Sequence, residues 1–328
     1  MKAFPLFISA AFSVIFCLSS FAQTATSCVT ATYYKIIALP LHPTRINNKE
    51  EIAGAVAGVD EDAGHLATWT QSSGIRELKL PSDFTNAEAV GINAHGDVVG
   101  QATSGLGKKK AFAFLRGKFV VLSELQLKAK AINNSRQVTL EQSPGPPQIW
   151  SGGEMQPLGG CCGGHVFAIN NQGEIAGELN DRDGRFSAFV WDAKHGAQLI
   201  TPPGARSSTA LAINDSGHVL IQTFSPNQIF LRENDKFIPV ELSPEFASQP
   251  LALNDCDAMV GEYGAASEYY HAFIWDKKNG FRDLNTLIDK AEGWSLESAV
   301  DINSHGQIIG TGDHANQNDA GFLLLPQP

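Results

Sequence analysis

The chain has 328 residues and a formal net charge of −10, with 43% hydrophobic and 18% charged residues. So apolar a composition excludes extensive disorder. The acidic balance has no basic stripe to offset it, since the one cationic cluster is Lys108-Lys109-Lys110. Nucleic acid is therefore excluded as a partner, because phosphate neutralisation needs a basic surface.

At the N-terminus, Lys2 precedes an uncharged apolar run from Ala3 to Ser20, and Ser20-Phe21-Ala22 offers small residues where a signal peptidase reads. Residues 1–22 are expected to be a cleaved signal peptide. The run is long enough to span a bilayer as an anchor, but its small-residue exit and the polar QTATS that follows favour removal. The mature chain carries no second run of that length, so no membrane span is expected in it. A secreted, periplasmic or cell-surface location follows. Export permits disulfides, and Cys28, Cys161, Cys162 and Cys256 allow three pairings.

Residues 23–32 read as an N-terminal segment and 33–328 as a single domain. A lone strand signal, Tyr33-Tyr34-Lys35-Ile36-Ile37-Ala38-Leu39, opens that domain. Seven copies of one pattern follow, marked by Asn47, Asn93, Asn133, Asn170, Asn214, Asn254 and Asn303, at spacings of 37 to 49 residues. Such a period signals an array of supersecondary units. Before each Asn, apolar and small residues alternate, as in Val90/Ile92 against Ala89/Gly91, which predicts a strand beside a crowded axis.

The Asn opens a turn closed at its fourth position by Gly96, Gly173, Gly217 or Gly306, as a type I turn with a left-handed closing residue requires. Three copies carry Glu50, Arg136 or Asp257 there, and Glu and Arg fit a left-handed residue poorly. A second strand follows (EIAG, DVVG, AMVG, QIIG), ending in Gly seven residues after the Asn except at Leu140 and Ile221. A third strand (AFAFL, SAFVW, HAFIW) and a fourth (IRELKL, GFRDLNTL) complete each copy.

Four strands per repeat are one propeller blade, so the predicted fold is an all-β, seven-bladed β-propeller with four-stranded blades. The seventh copy stops after its third strand, and the strand at 33–39 supplies the missing fourth, which closes the ring without an open sheet edge. A β-solenoid is the alternative, but it leaves that N-terminal strand unexplained.

Through His271-Ala272-Phe273 and the looser Lys110-Ala111-Phe112, Ser187-Ala188-Phe189 and Ala320-Gly321-Phe322, the chain resembles the bacterial extracellular HAF-repeat family. The stretch DLNTLID…GWSLESAVDINSHGQIIGTG is similar to that family's C-terminal end. The resemblance implies an exported, propeller-like repeat protein and no known reaction.

In a propeller, the loops between blades and those from second to third strand gather on one face, where ligands are expected by fold analogy. Cys161, Cys162 and His165 fall there; two thiolates and an imidazole so close can hold Zn or Cu(I), with disulfides as the alternative. Cys28 and Cys256 fall on the opposite face in adjacent blades, where a bond between them would staple the ring. Acidic and aromatic loops supply Asp60, Asp181, Asp183, Tyr263, Glu268, Tyr269 and Tyr270; tyrosines beside acids suit sugar or peptide binding. The Asp181-Arg182-Asp183-Gly184 run is part of a calcium loop without its distal Glu.

No catalytic set stands out by spacing, and no cofactor is expected beyond a bound Ca or Zn. The reading is an exported, monomeric, non-catalytic binding or interaction module with an extracellular glycan or protein partner. Two alternatives stand beside it. One is a polysaccharide or peptide hydrolase or lyase using Asp60, Asp181 or Asp183 as acid and base; the other is a structural envelope or matrix protein.

Overall fold

The computed structural model describes residues 28, 31–56, 65–142, 145–159, 163–243, 247–264 and 270–327. The expected signal peptide (1–22), Asp60, Cys161, Cys162, Glu268 and Tyr269 lie outside the described residues. Seven four-stranded antiparallel sheets form, six of them ordered by sequence from the axis outward. The inner strands are His42–Ile46, Phe84–Ile92, Lys128–Ile132, Gly164–Ile169, Ser207–Ile213, Ala247–Leu253 and Trp294–Ile302. The seventh sheet takes its outer strand, Tyr33–Ala38, from the N-terminus. That strand pairs antiparallel with the last one, Gln317–Gln327, from Tyr33↔Gln327 to Ala38↔Phe322. The predicted seven-bladed propeller and its closure are thus the observed fold. One boundary differs: the outer strand of blade six ends at Asp283. There the Asp283 carboxylate accepts the Asn285 N–H at 2.8 Å and caps a short 3-10 turn, Leu284–Thr286.

The repeated Asn does far more than open a hairpin. A primary amide has two donors and two acceptor positions, and each of the seven uses them in the same way. Its Oδ1 accepts the main-chain N–H groups two and four residues on, as Asn170 does from Gln172 (3.1 Å) and Glu174 (2.8 Å). Its Nδ2 donates to the main-chain carbonyl of the equivalent Asn in the next blade. The bonds run Asn47 to Asn93, then to Asn133, Asn170, Asn214, Asn254 and Asn303, and from Asn303 back to Asn47, at 2.8–3.2 Å. All seven side chains are buried. The hairpin turns are thereby welded into a closed ring around one end of the axis.

A second, partial ring lies beside it. The N–H of the residue after the Asn donates to the side chain of its counterpart in the next blade, as in Asn134 to Asn171 (2.9 Å) and Asp215 to Asp255 (2.9 Å). Ala94 offers no acceptor and leaves a gap in it.

The three turns without glycine keep the left-handed backbone, with φ of 63° at Glu50, 60° at Arg136 and 59° at Asp257. In two of them the misplaced side chain reaches the preceding blade. Arg136 Nε lies 2.8 Å from the buried Asp97, and Asp257 accepts from Asn214 Nδ2 at 2.9 Å. Backbone strain is offset there by interblade bonds that glycine cannot make.

The glycine closing the second strand and the Phe of the third belong together. Gly100↔Phe112, Gly177↔Phe189, Gly261↔Phe273 and Gly310↔Phe322 are directly opposed across the sheet, and all four rings are wholly buried. A Cβ on Gly177 would collide with the His165 carbonyl and lie 2.8 Å from the Phe189 ring. Blade three shows the reverse fit: Leu140 replaces the glycine, and its partner is Gln148, not Phe.

At the seam, a disulfide joins Cys28 to Cys256, with Cα atoms 5.4 Å apart. The link ties the segment leading into the closing strand to the turn of blade six. Arg282 Nη1 adds a bond to the Ala31 carbonyl at 2.7 Å, and Asp301 Oδ2 accepts Ile46 N–H at 2.9 Å across the junction of blades seven and one.

Two predictions follow from these contacts. Asn170→Ala orphans the Gln172 and Glu174 N–H groups and strips the Asn214 carbonyl of one of its two bonds, and should lower unfolding stability by roughly 3 kcal/mol; chemical denaturation of the variant checks this, and a loss within error of zero contradicts the ring's role. Replacing both Cys28 and Cys256 by Ser should cost roughly 2–5 kcal/mol through the freed unfolded chain, read as a lower urea midpoint.

Candidate binding face

All seven inner strands carry a β-bulge at the same place, with the register shifting around Thr44, Val90, Lys130, Phe167, Leu211, Leu251 and Val300. A bulge re-aims one side chain, and most of these line the axial channel. One residue on, the channel wall is Gly or Ala in five blades, but Arg45 and Asp301 in blades one and seven. Asp301 is half-buried, and its two carboxylate oxygens accept the Ile46 and Ile302 N–H groups. Burial pushes its carboxyl above the usual range against the opposing pull of Arg45 and of the Ile46 and Ile302 N–H groups.

At the loop face, a belt of charge crosses blades three to five. Glu141, 6% exposed, lies 3.1 Å from His165 Nδ1 and 3.5 Å from Lys130 Nζ. Lys130 also sits 5.5 Å from the centre of the Phe167 ring. Glu178, 7% exposed, accepts the Thr209 hydroxyl of the next blade. Desolvation raises the Glu178 pKa; the Thr209 bond and the charge of His165 pull it down, and Glu141 adds to the rise. Both glutamates stand eight residues after their repeat Asn, where Gln101 likewise reaches across to the Ala129 carbonyl at 2.7 Å. At these three junctions the position ties neighbouring blades at the loop face, as the Asn ring does at all seven at the other.

Between blades five and six that tie is absent and a groove opens. Its inner lobe, about 390 Å³, is lined by Gln222, Asn227, Gln249, Glu262 and Tyr270. An outer lobe of about 320 Å³, with Gln228, Glu241 and Ser243, shares Asn227, Ala247 and Ser248 with it. Gln222 and Glu262 occupy the same eighth position, but Gln222 Nε2 turns to Asn227 Oδ1 at 3.1 Å instead of the next blade. Tyr270 is 47% exposed.

The remaining residues singled out from the sequence have definite places. Asp181 Oδ1 accepts the N–H groups of Asp183 (2.8 Å) and Arg185 (2.9 Å), closing its own hairpin, with exposed Asp183 beside Arg185. Tyr263 points away from the groove: its hydroxyl donates to Asp283 at 2.9 Å, and its ring packs edge-on against Phe281. Burial, then the Asp283 charge and the hydrogen bond, hold that hydroxyl protonated beyond the usual tyrosine range. His271 joins the same carboxylate at 3.1 Å, so the His of the HAF tripeptide and the Asp of DLN form one network. Gln222, Gln249 and Asn227 were not singled out from the sequence. The signal available was positional, since Gln222 departs from the acid found at the equivalent place in blades three, four and six.

On the opposite face His218, Glu233 and Asp257 converge closely enough to suit a metal ion. Lys277 fills the space between the two acids, with its Nζ 2.6 Å from Asp257 and paired to Glu233. Desolvation opposes its charge, but the bonds to Asp257 and Glu233 outweigh this and hold its pKa up. A lysine thus supplies the positive charge a cation would bring, and the donors do not fit a metal centre.

No family model matches the chain, and no curated protein matches it in sequence. Solved structures do. YCF48 bound to D1 peptide superposes with a TM-score of 0.56 at 12% identity, covering 90% of this chain and 97% of that one. A streptogramin B lyase gives 0.59 at 11% identity over 91% and 100%. Oligogalacturonate lyase from Vibrio parahaemolyticus gives 0.57 at 9% over 91% and 92%. At such identities the likeness is one of fold. Among the described residues no helix is long and apolar enough to cross a membrane.

The buried Glu178 yields a pH prediction. A carboxyl whose folded pKa exceeds its unfolded one holds its proton more tightly in the native state, so stability falls as pH rises between the two values. Glu178→Gln should remove that part of the decline above the ordinary glutamate pKa while still accepting from Thr209. Unfolding free energies across acid to neutral pH check it; a variant curve parallel to the parent's contradicts the burial cost.

Proposed function

We propose that the protein is an exported, non-catalytic binding module that holds its ligand in the groove between blades five and six. The observation that carries this reading is the groove's lining. Gln222, Asn227 and Gln249 present amides to an open cleft, whereas the counterparts of Gln222 in blades two, three and four are committed to holding blades together. A half-exposed aromatic ring stands at its edge, as binding sites commonly have. The N-terminal apolar run, the Cys28–Cys256 bond and the resemblance to HAF-repeat proteins support export. Peptide binding by YCF48 is a precedent for ligand holding on this fold.

The test is a thermal-shift survey of neutral glycans, acidic glycans and peptides, repeated on Tyr270→Ala and Gln249→Ala. A ligand at a hundred times its Kd should stabilise by about 2.7 kcal/mol. The expected result is a shift that both substitutions abolish; a shift untouched by either overturns the groove.

A second reading, an extracellular polysaccharide or peptide hydrolase or lyase, is favoured by Glu178. A desolvated carboxyl beside the Glu141–His165 pair has the makings of a general acid. Product release from a polymer that is lost in Glu178→Gln would establish it.

A further inference from the structure

We infer that the occupant of the groove is a neutral oligosaccharide chain, laid outward from Tyr270 along both lobes; this rests on the binding reading above. Three observations set the chemistry. First, the uncharged polar lining is mostly amide and hydroxyl: Gln222, Asn227, Gln228, Ser243 and Gln249. A side-chain amide offers a donor and an acceptor in one plane, which matches neighbouring sugar hydroxyls that both give and accept.

Second, among the described residues the charged groups lining either lobe are Glu241 and Glu262, with no Lys, Arg or His. Carboxylates there accept bonds from hydroxyl pairs and repel uronates and sulfated sugars. This sets the groove apart from what a polyanion requires, where cations must face the chain. Third, the half-exposed Tyr270 ring is a platform for the apolar face of a sugar ring, and its hydroxyl is a further bonding group.

The form of the groove argues against an extended peptide. Peptides held on β-proteins gain affinity by joining a free sheet edge. Here the blade-six wall is the inner strand Ala247–Leu253, which pairs on one side with Met259–Gly264 and turns its other edge to the axis. The inner lobe therefore presents side chains with no strand edge to extend, and the edge strand Lys236–Val240 along the outer lobe is interrupted by Pro239, which lacks the N–H that an added strand would need. Each lobe falls within the ordinary range for small-ligand clefts, roughly 300–1,000 Å³. Their shared residues Asn227, Ala247 and Ser248 make the path continuous for more than one sugar unit.

The experiment is isothermal titration of the whole mature protein with cellohexaose, xylohexaose, maltohexaose and chitohexaose, with hexagalacturonate and an uncharged decapeptide as comparators. Each is run at low and high ionic strength. The expected result is saturable binding of a neutral hexasaccharide that salt leaves unchanged and that weakens at least about tenfold in Tyr270→Ala and in Gln249→Ala. Both sites are exposed, and unchanged melting curves of the free variants confirm that folding is intact. Binding of the peptide alone, weakened by both substitutions, overturns the neutral glycan while leaving the groove as the binding site. Binding of hexagalacturonate alone, abolished by high salt, also overturns it. Neutral-sugar binding that survives both substitutions overturns the groove itself, and no binding by any neutral hexasaccharide ends the inference.

Discussion

Seven side-chain amides passing hydrogen bonds in one sense around a closed circle set the terms for the whole molecule. Propeller blades are joined to each other mainly by packing, which is non-directional and tolerates sliding. The Asn ring removes that freedom at one end. Each Asn fixes its own turn through Oδ1 and the position of the next turn through Nδ2, so the seven hairpins have one mutual geometry. Few other side chains do this. Aspartate lacks the donors, and a serine hydroxyl is too short and has one proton. The invariance of Asn through repeats that drift at most other positions is explained by this double duty.

A consequence is a division of labour between the two ends of the axis. On the turn face amides, acids and cations bond one another, down to the lysine between Glu233 and Asp257. Variation there costs stability. At three junctions the loop face holds its blades with single side chains at one repeated position, and a change of that side chain opens space without disturbing the ring. The groove between blades five and six lies where Gln222 has let go of the neighbouring blade. Binding surface is made here by releasing a tie, not by adding a domain.

Much of this was legible in the residues. The period, the Asn-x-x-Gly turn and the unmatched first strand gave blade number and closure, because turn chemistry and strand alternation are local properties. The register of the Asn ring was hidden, since a hydrogen bond between Asn47 and Asn303 has no local signature. The doubt over Glu50 and Arg136 came from weighing backbone preference alone; a salt bridge from Arg136 to Asp97 offsets it, and only the folded ring brings those two together. Blade three's loss of the closing glycine goes with a change in its partner, since Leu140 stands opposite Gln148 and no Phe ring needs the space. Of the site, the loop face and Tyr270 were within reach of the sequence. The groove was not, because its walls come from two blades and its amides are unremarkable as text.

The pairing of Tyr33–Ala38 with Gln317–Gln327 also has a temporal side. The first strand to be synthesised finds its partner almost three hundred residues later, the longest-range contact the ring contains. Six blades can collapse on local contacts as they emerge, but the circle closes only when the last strand arrives, and closure of so long a loop is slow. Until then the final blade presents a bare edge that could recruit a second chain. The crossing from open arc to sealed ring is the step at which this molecule is most exposed to mispairing, and the disulfide at Cys28 and Cys256 acts at that seam to make the crossing hard to reverse.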